Sequence, residues 1–228
     1  MNWKLSMADA KKLHFVVIGM GTFGAALARR LAKHGCRVTG LDANREKIAE
    51  LNGILYEPVI GDATDRATLE HLNLRDATAV IISLGEDITQ SLLATLHARS
   101  VGAERVIVKG VTKEHGQILK SLGVSRVIFP EEEIATAMGD RLIWPNIVDF
   151  LPIDPEYSFV EVAVPEMFVG KTLLDLDLRR RHSVWVVGVK DAMTGKLEMF
   201  PGGEFKLGVD QLLLLVGKQR DLTTIQGL

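Results

Sequence analysis

Three closely spaced glycines follow a hydrophobic run near the start of the chain. They lie in GMGTFG, at positions 19, 21 and 24, and an alanine-rich helical pattern comes next. In a strand–turn–helix unit the first glycine permits a tight turn, the second lets the backbone approach a pyrophosphate, and the third lets the helix pack close to the strand. The start of such a helix also offers unpaired N–H groups to phosphate. The motif therefore predicts a nucleotide-binding site.

Asp42 stands where such a site needs an acceptor for the ribose. It follows Gly24 by 18 residues and ends the second predicted strand. A carboxylate at that position can accept both ribose hydroxyls, and its charge repels a 2′-phosphate. The spacing therefore favours an adenine nucleotide or NAD(H) and disfavours NADP.

The sequence GDAT at 61–64 follows the third predicted strand and supplies another part of the predicted site. The base of a bound nucleotide lies at the carboxyl edge of that strand in this kind of sheet. Asp62 is therefore expected to lie beside the base. Asp62 could equally be only the cap of a helix that begins after it, in the segment TDRATLEHL.

The elements that position these residues alternate between short β-branched runs and helical segments, from residue 13 to about 130. Most of the runs are nearly continuous in apolar residues, which is typical of a parallel sheet covered on both faces. The predicted strands are 13–19, 37–42, 57–62, 78–83, 105–110 and 126–129. This alternation predicts an α/β fold with a six-stranded doubly wound parallel Rossmann sheet in the order 3-2-1-4-5-6.

After Pro130 the pattern becomes one long amphipathic segment, EEEIATAMGDRLIWPNIVDFL. It is interrupted at Trp144-Pro145, because proline kinks or ends a helix. We expect a helical crossover over 131–151. Its many apolar side chains indicate packing either on the sheet of this chain or on a second subunit, and both interpretations stay open.

A smaller C-terminal α+β domain is predicted over 152–228. YSFVEVAVP alternates like a half-buried strand, KTLLDLDLRRR is typical of a helix, two strands flank the turn DAMTG, and QLLLLVG is a last strand before a short helix. The predicted organisation is thus an N-terminal extension (1–12), a nucleotide-binding domain (13–130), the crossover (131–151) and this domain.

Composition limits the function further. The 228 residues carry a formal net charge of -2, so no global field attracts the chain to nucleic acid or to an acidic membrane. A single cysteine, Cys36, excludes a disulfide within the chain, and we expect a packed thiol there. No apolar run approaches the ~18 residues that a membrane-spanning helix needs. We expect a soluble cytoplasmic protein that acts on any membrane only through a partner.

No residue constellation indicates catalysis. The six histidines are scattered, and no Tyr-x-x-x-Lys, Cys/His cluster or G-x-S-x-G is present. VGKT at 169–172 imitates the end of a phosphate-binding loop, but Pro165 occupies the place of that motif's first glycine. A binding fold without acid–base groups favours a sensor, in which binding energy selects between conformations. An NAD-dependent oxidoreductase with an unrecognised substrate site is the alternative.

The combination of these motifs resembles the RCK (KTN) family of potassium-conductance regulators, in particular the stand-alone cytosolic subunits of Ktr-type transporters. The matching segments are VVIGMGTFG, Asp42, GDAT, VIISLGEDITQSLLATL, VIVKG, GVSRVIFPE and VGKTLLDLDLR. The resemblance implies dimers that assemble into octameric gating rings beneath a membrane potassium-translocating subunit. It also implies ATP, ADP or NAD(H) as ligands. Regulation of a different membrane transporter by the same architecture stays an alternative.

By matched position, the resemblance also implies a set of ligand-binding residues. The first six in the set would contact the phosphates, the next three lie at the ribose, the next three lie at the adenine, and the last faces the same pocket. These residues are Gly19, Met20, Gly21, Thr22, Phe23, Gly24, Asp42, Asn44, Lys47, Asp62, Ala63, Thr64 and Lys109.

The resemblance also implies two further sites. Glu131 matches a position that can join a divalent-cation or sodium site between subunits, although acidic residues also favour a helix start. Cyclic di-AMP binds some relatives in the region of Leu174, Asp175, Arg179 and His182, where the basic run is also ordinary for a helix end.

Thr22 departs from the pattern of relatives that distinguish ATP from ADP, because they carry an arginine there that reaches the γ-phosphate. A hydroxyl cannot make the same charge-assisted contact. We therefore expect ATP to be favoured over ADP by less in this protein.

Overall fold

The computed structural model describes residues 10–143, 147–154 and 156–226. The chain divides into two compact units, the first ending at Pro130 and the second beginning at Glu131. Within the described ranges, no helix is both long and apolar enough to cross a bilayer.

The first unit is built on a six-stranded parallel sheet. Its strands are β1 (His14–Ile18), β2 (Arg37–Asp42), β3 (Glu57–Ile60), β4 (Ala79–Ile82), β5 (Val106–Lys109) and β6 (Arg126–Ile128). The observed order is β3-β2-β1-β4-β5-β6, so the predicted doubly wound topology is confirmed. The carboxyl ends of all six strands therefore lie at one edge of the sheet.

Alternation along the central strands explains why their sequences are continuously apolar. Val16 and Ile18 point into one buried cluster, and Val17 points into another on the opposite face. Successive side chains of a strand face opposite sides of the sheet, so a sheet covered on both faces needs apolar residues at every position. The covering helices are α1 (Thr22–Lys33), α2 (Arg45–Ala49), α3 (Arg66–Glu70), α4 (Ile88–Ser100) and α5 (Lys113–Ser121), with a short 3-10 helix at Leu74–Asp76.

The segment after the first sheet begins as predicted and then differs. Helix α6 (Pro130–Ile143) is followed by strand β7 (Ile147–Pro152), so the prediction of helix through residue 151 is wrong for 147–151. Phe150 and Leu151 pair with residues of the next strand, and this ladder outweighs the local amphipathic spacing. The predicted interruption at Trp144-Pro145 lies outside the described residues.

The second unit is an antiparallel sheet with short helices. Strands β8 (Tyr157–Ala163), β9 (Trp185–Asp191), β10 (Leu197–Met199) and β11 (Gln211–Lys218) join β7 in the order β10-β9-β11-β8-β7. The predicted strands and the smaller α+β domain are confirmed. Its helices are α7 (Leu173–Leu176), α8 (Leu178–His182) and α9 (Gln219–Gln226), with a 3-10 helix at Glu166–Phe168.

The single helix predicted for KTLLDLDLRRR is wrong, because the chain breaks at Asp177. That residue has a left-handed backbone (φ 41°) between α7 and α8. The residues after VGKT nevertheless begin a helix, α7, with Thr172 as its N-cap. The side chain of Thr172 accepts a hydrogen bond from the backbone N–H of Asp175, and the Asp175 carboxylate accepts one from the backbone N–H of Thr172.

Candidate functional site

A cavity of about 240 Å³ opens at the carboxyl edge of the parallel sheet, where strands β2, β3 and β4 end. It is lined by Leu41, Asp42, Ala43, Lys47, Gly61, Asp62, Ala63, Thr64, Ser83, Leu84, Gly85 and Gln90. The structure thus brings together residues predicted for the ribose and the adenine from two separate strand ends. A topological edge of this kind is where open α/β sheets bind ligands.

The first and third glycines of GMGTFG are required by the fold. Gly19 has φ +92°, and a Cβ there would overlap the carbonyl oxygen of Ser83. A Cβ at Gly24 would overlap the carbonyl oxygen of Gly19, so the helix can approach the turn only without a side chain at this position. Both glycines shape the turn and bring α1 close to β1.

Gly21 differs from these two, because it faces open space. Nothing lies within 4 Å of a Cβ built at Gly21, which is the N-cap of α1. No side chain caps α1, and its first turn contains no acidic residue. The first backbone N–H groups of an uncapped helix are unsatisfied donors at the positive end of the helix dipole, so this start suits a phosphate.

Met20 and Phe23 hold the glycine turn by packing their side chains into the apolar core. The Met20 side chain is buried, and Phe23 packs partly buried against the same apolar cluster. Thr22 is exposed at the first position of α1. Among the six residues predicted for the phosphates, Gly21 and Thr22 are therefore the ones open to a ligand, and the others build the turn.

The carboxylate of Asp42 joins the glycine turn to the start of α2. Its Oδ2 accepts a hydrogen bond from the backbone N–H of Met20 at 2.7 Å, and its Oδ1 accepts one from the backbone N–H of Asn44 at 2.8 Å. The ammonium of Lys47 lies 3.7 Å from Oδ2. Two backbone donors therefore fix the orientation of the carboxylate that is predicted to hold the ribose.

Asn44 supports this arrangement by capping α2 and is absent from the lining of the cavity. Its side-chain oxygen accepts hydrogen bonds from the backbone N–H groups of Glu46 and Lys47, and so caps α2. Capping of this kind orders the first turn of a short helix. Asn44 thus fixes the turn from which Lys47 reaches the cavity.

The structure tests one of the two roles predicted for Asp62. One oxygen of Asp62 accepts hydrogen bonds from the backbone N–H and the hydroxyl of Thr64, at 2.8 and 2.7 Å. The residue that caps α3 is Asp65. The interpretation of Asp62 as a helix cap is therefore wrong. Asp62 orders the GDAT turn against the cavity, and Ala63 is buried beneath it.

The end of β4 contributes a wall of the cavity that was not predicted from the sequence. Ser83, Leu84 and Gly85 follow the strand, and Gln90 lies in the first turn of α4. The position of this segment directly after a central strand is the sequence signal that could have placed it in the site.

Lys109 and Glu131 occupy positions in different units. Lys109 is the half-buried last residue of β5, and Glu131 lies exposed in the first turn of α6 with two further glutamates. In the described part of the chain, no three His, Cys, Asp or Glu side chains are grouped so that they could hold a metal ion.

In the second unit, the residues considered for cyclic di-AMP do not share one role. Leu174 and Arg179 line a cleft of about 810 Å³, where the Arg179 guanidinium lies 5.2 Å from the ring centre of Trp185. Asp175 belongs to the capping pair of α7, and the His182 imidazole lies 3.4 Å from the hydroxyl of Thr224.

Comparisons with known proteins find a matching family for each of the two units. The sequence-family model of the TrkA-N domain matches residues 15–130, and that of the TrkA-C domain matches residues 159–228. Ktr system potassium uptake protein C of Bacillus subtilis (strain 168) is 30% identical over 94% of this chain and 96% of its own length. Ktr system potassium uptake protein A of Vibrio alginolyticus is 29% identical over 91% of this chain and 94% of its own.

Solved structures share the fold. The GsuK RCK domain gives a TM-score of 0.63 at 21% identity, over 95% of this chain and 47% of that chain. This chain therefore spans about half of that protein. The NAD(P)-binding domain of an exopolyphosphatase-related protein from Archaeoglobus fulgidus gives a TM-score of 0.51 at 27% identity, over 57% of this chain and 96% of that chain.

Proposed function

Because the chain belongs to the family of proteins with TrkA-N and TrkA-C domains, we propose that it is a nucleotide-sensing regulatory subunit of a membrane potassium-uptake system. The observation that carries the nucleotide part is the uncapped start of α1, open at Gly21 and joined to the ribose acceptor Asp42 through Met20. The relatives named for Ktr potassium uptake match nearly the whole chain and supply the transport part.

The ligand is an adenine nucleotide, with ATP, ADP and NAD(H) as the candidates. Its phosphates would lie on the backbone N–H groups that follow Gly21, its ribose on Asp42, and its base in the cavity beside the GDAT turn. The protein regulates by binding rather than by turnover, since the relatives that match nearly the whole chain are named as potassium uptake proteins. A ligand shifts a conformational equilibrium only by its difference in affinity for the two states.

Self-assembly and a membrane partner complete the proposal. The exposed apolar side chains of α6, Ile134, Met138 and Leu142, are spaced four residues apart on one helical face and are 60–73% exposed. An apolar stripe of this kind is typical of a helix that packs on another subunit. We propose a dimer that assembles into an octameric ring and lies on the cytoplasmic side of the membrane through its potassium-translocating partner.

We also propose two ligand sites in the second unit. Glu131 would contribute to a divalent-cation or sodium site completed by another subunit. Arg179 and Leu174 would contribute to cyclic di-AMP binding in their cleft, although Asp175 and His182 already have partners within the chain.

The nucleotide released when the purified protein is denatured identifies the ligand directly. Titration calorimetry with ATP, ADP and NADH should give binding that the Gly21→Val variant largely loses, because the new side chain fills the space of the phosphates. Retention of wild-type affinity by a folded Gly21→Val protein would remove the site from this turn. Steady NADH oxidation with small carbonyl substrates would favour an oxidoreductase instead.

The regulatory part is tested separately. Co-purification with a membrane potassium transporter, and potassium uptake that depends on the presence of this subunit, are the expected results. Association with a transporter of another ion would contradict the potassium assignment and leave the nucleotide site intact.

A further inference from the structure

The charges that line the nucleotide cavity are unequal in number. Two carboxylates, Asp42 and Asp62, face one ammonium, that of Lys47, among the described residues that line it. A ligand group with negative charge is therefore opposed by two of these side chains and attracted by one. Lys47 supplies the positive charge among these three side chains. Without it, the charged side chains that line the cavity would be the two carboxylates.

Lys47 is held close to the carboxylate that receives the ribose. Its Nζ lies 3.7 Å from Oδ2 of Asp42, and its backbone N–H donates to the capping oxygen of Asn44. The Lys47 side chain is 47% exposed, whereas that of Asp42 is 11% exposed. The carboxylate is thus fixed within the turn, and the ammonium can move toward a charged group on the ligand.

The 2′ substituent of the ribose would meet both charges. A ribose held by Asp42 presents its 2′-oxygen to the carboxylate, where a hydroxyl donates a hydrogen bond and a phosphate is repelled. An ammonium beside the same carboxylate attracts the phosphate and offsets part of that repulsion. A 2′-hydroxyl carries no charge, so the ammonium affects its binding less.

We propose that Lys47 determines how strongly the site discriminates between nucleotides with a 2′-hydroxyl and nucleotides with a 2′-phosphate. Asp42 makes the site prefer the hydroxyl, and Lys47 limits that preference so that the phosphorylated nucleotide still binds. The inference rests on the proposed nucleotide function and adds a second specificity residue to the same site.

A purely structural role for Lys47 predicts a different result. If its ammonium served only as a surface ion pair for Asp42, its removal would alter the affinities of both ligands by the same factor. If it acts on the 2′ substituent, the ratio of the two affinities changes. The ratio therefore separates the two roles whatever happens to the stability of the turn.

The experiment measures the dissociation constants of NADH and NADPH by calorimetry, with competition against NADH where NADPH binds weakly. Lys47→Met should raise the ratio of the NADPH constant to the NADH constant by about three- to fivefold, the upper range for a half-exposed ion pair. Added salt should shrink the difference. Arg45→Met is the matched control, because Arg45 is exposed in the same helical turn and is absent from the lining of the cavity.

Each outcome decides one of the two claims. An unchanged or smaller ratio in Lys47→Met, or an equal change in Arg45→Met, would overturn the role of Lys47. The role of Lys47 would also be overturned if the wild-type protein bound NADH but excluded NADPH at millimolar concentration. In that case the ammonium would not offset the repulsion between Asp42 and the 2′-phosphate. Failure of every adenine nucleotide to bind the wild-type protein would refute the proposed function, and this inference with it.

Discussion

Two helices that begin at the same edge of the parallel sheet satisfy their backbone donors in opposite ways. At the start of α5, the hydroxyl of Thr112 accepts a hydrogen bond from the backbone N–H of His115 at 3.1 Å. The His115 imidazole in turn accepts one from the backbone N–H of Val111 at 3.2 Å. At the start of α1, Gly21 provides no side chain at all.

A helix start that is capped by its own chain and one that is not differ in what they can offer a ligand. The start of α5 is closed by its own residues and contributes to stability without help from a ligand. The start of α1 leaves donors unsatisfied, which costs stability in the free protein and favours any anion that supplies the missing acceptors. Substitutions at the two starts should therefore affect stability and nucleotide affinity in different proportions.

The largest effect on stability is expected from Gly19→Ala, which places a side chain in the turn before α1. Its left-handed φ of +92° and the overlap of a Cβ with the Ser83 carbonyl oxygen should together lower the free energy of unfolding by more than about 2 kcal/mol. Urea unfolding measures the change. Gly35→Ala is the control, since Gly35 has φ +83° in open space and should lose only about 1 kcal/mol. Equal losses would mean that close packing at Gly19 is unimportant.

Gly21→Asp should make α1 resemble the closed helices. Aspartate is the N-cap of α3 and α4, so a carboxylate here should satisfy the first donors and leave stability unchanged or a few tenths of a kcal/mol higher. It should also weaken nucleotide binding at least tenfold, about 1.4 kcal/mol, because it occupies and repels the phosphate site. Calorimetry and thermal unfolding test both parts. Unchanged affinity would place the phosphates elsewhere.

Thr112→Ala opens the start of α5 and should show the reverse pattern. Loss of the cap should cost about 1 kcal/mol of unfolding free energy, while nucleotide affinity stays within about twofold of wild type. Urea unfolding and calorimetry on the same preparation provide the comparison. A larger effect on affinity than on stability would show that α5 also serves the ligand.

The smallest effect concerns the dependence of stability on pH. Burial lowers the pKa of His115, and burial followed by the charge of Arg37 lowers the pKa of His14. Both rings therefore bind a proton less readily in the folded state than in the unfolded state, and stability is lost as pH falls below the ordinary histidine pKa of about 6.5. His115→Asn keeps an acceptor for the N–H of Val111 and should flatten the decline in urea midpoint between pH 7.5 and 5.5. An unchanged slope would assign the decline to other groups.

The sequence predicted those features that depend on local pattern. Continuous apolar runs identified the parallel sheet. The spacing from Gly24 picked out Asp42, which ends β2 and lines the cavity, as the predicted ribose acceptor. Strand β7 was missed because its residues are amphipathic in isolation, and its strand character comes from pairing with β8. The cavity wall at Ser83 and Gln90 was missed because a cavity forms where several strand ends meet, which no single segment encodes.

The double use of the Asp42 carboxylate has a consequence for how this family can diverge. One side chain braces the glycine turn through the N–H of Met20 and is also the group that we propose receives the ribose. An asparagine there would turn an amide N–H₂ group toward one of two backbone donors, so a change of cofactor at this position also loosens the turn. Natural variation in nucleotide preference should therefore accumulate first at neighbouring positions such as Lys47, where a substitution alters recognition and leaves the architecture intact.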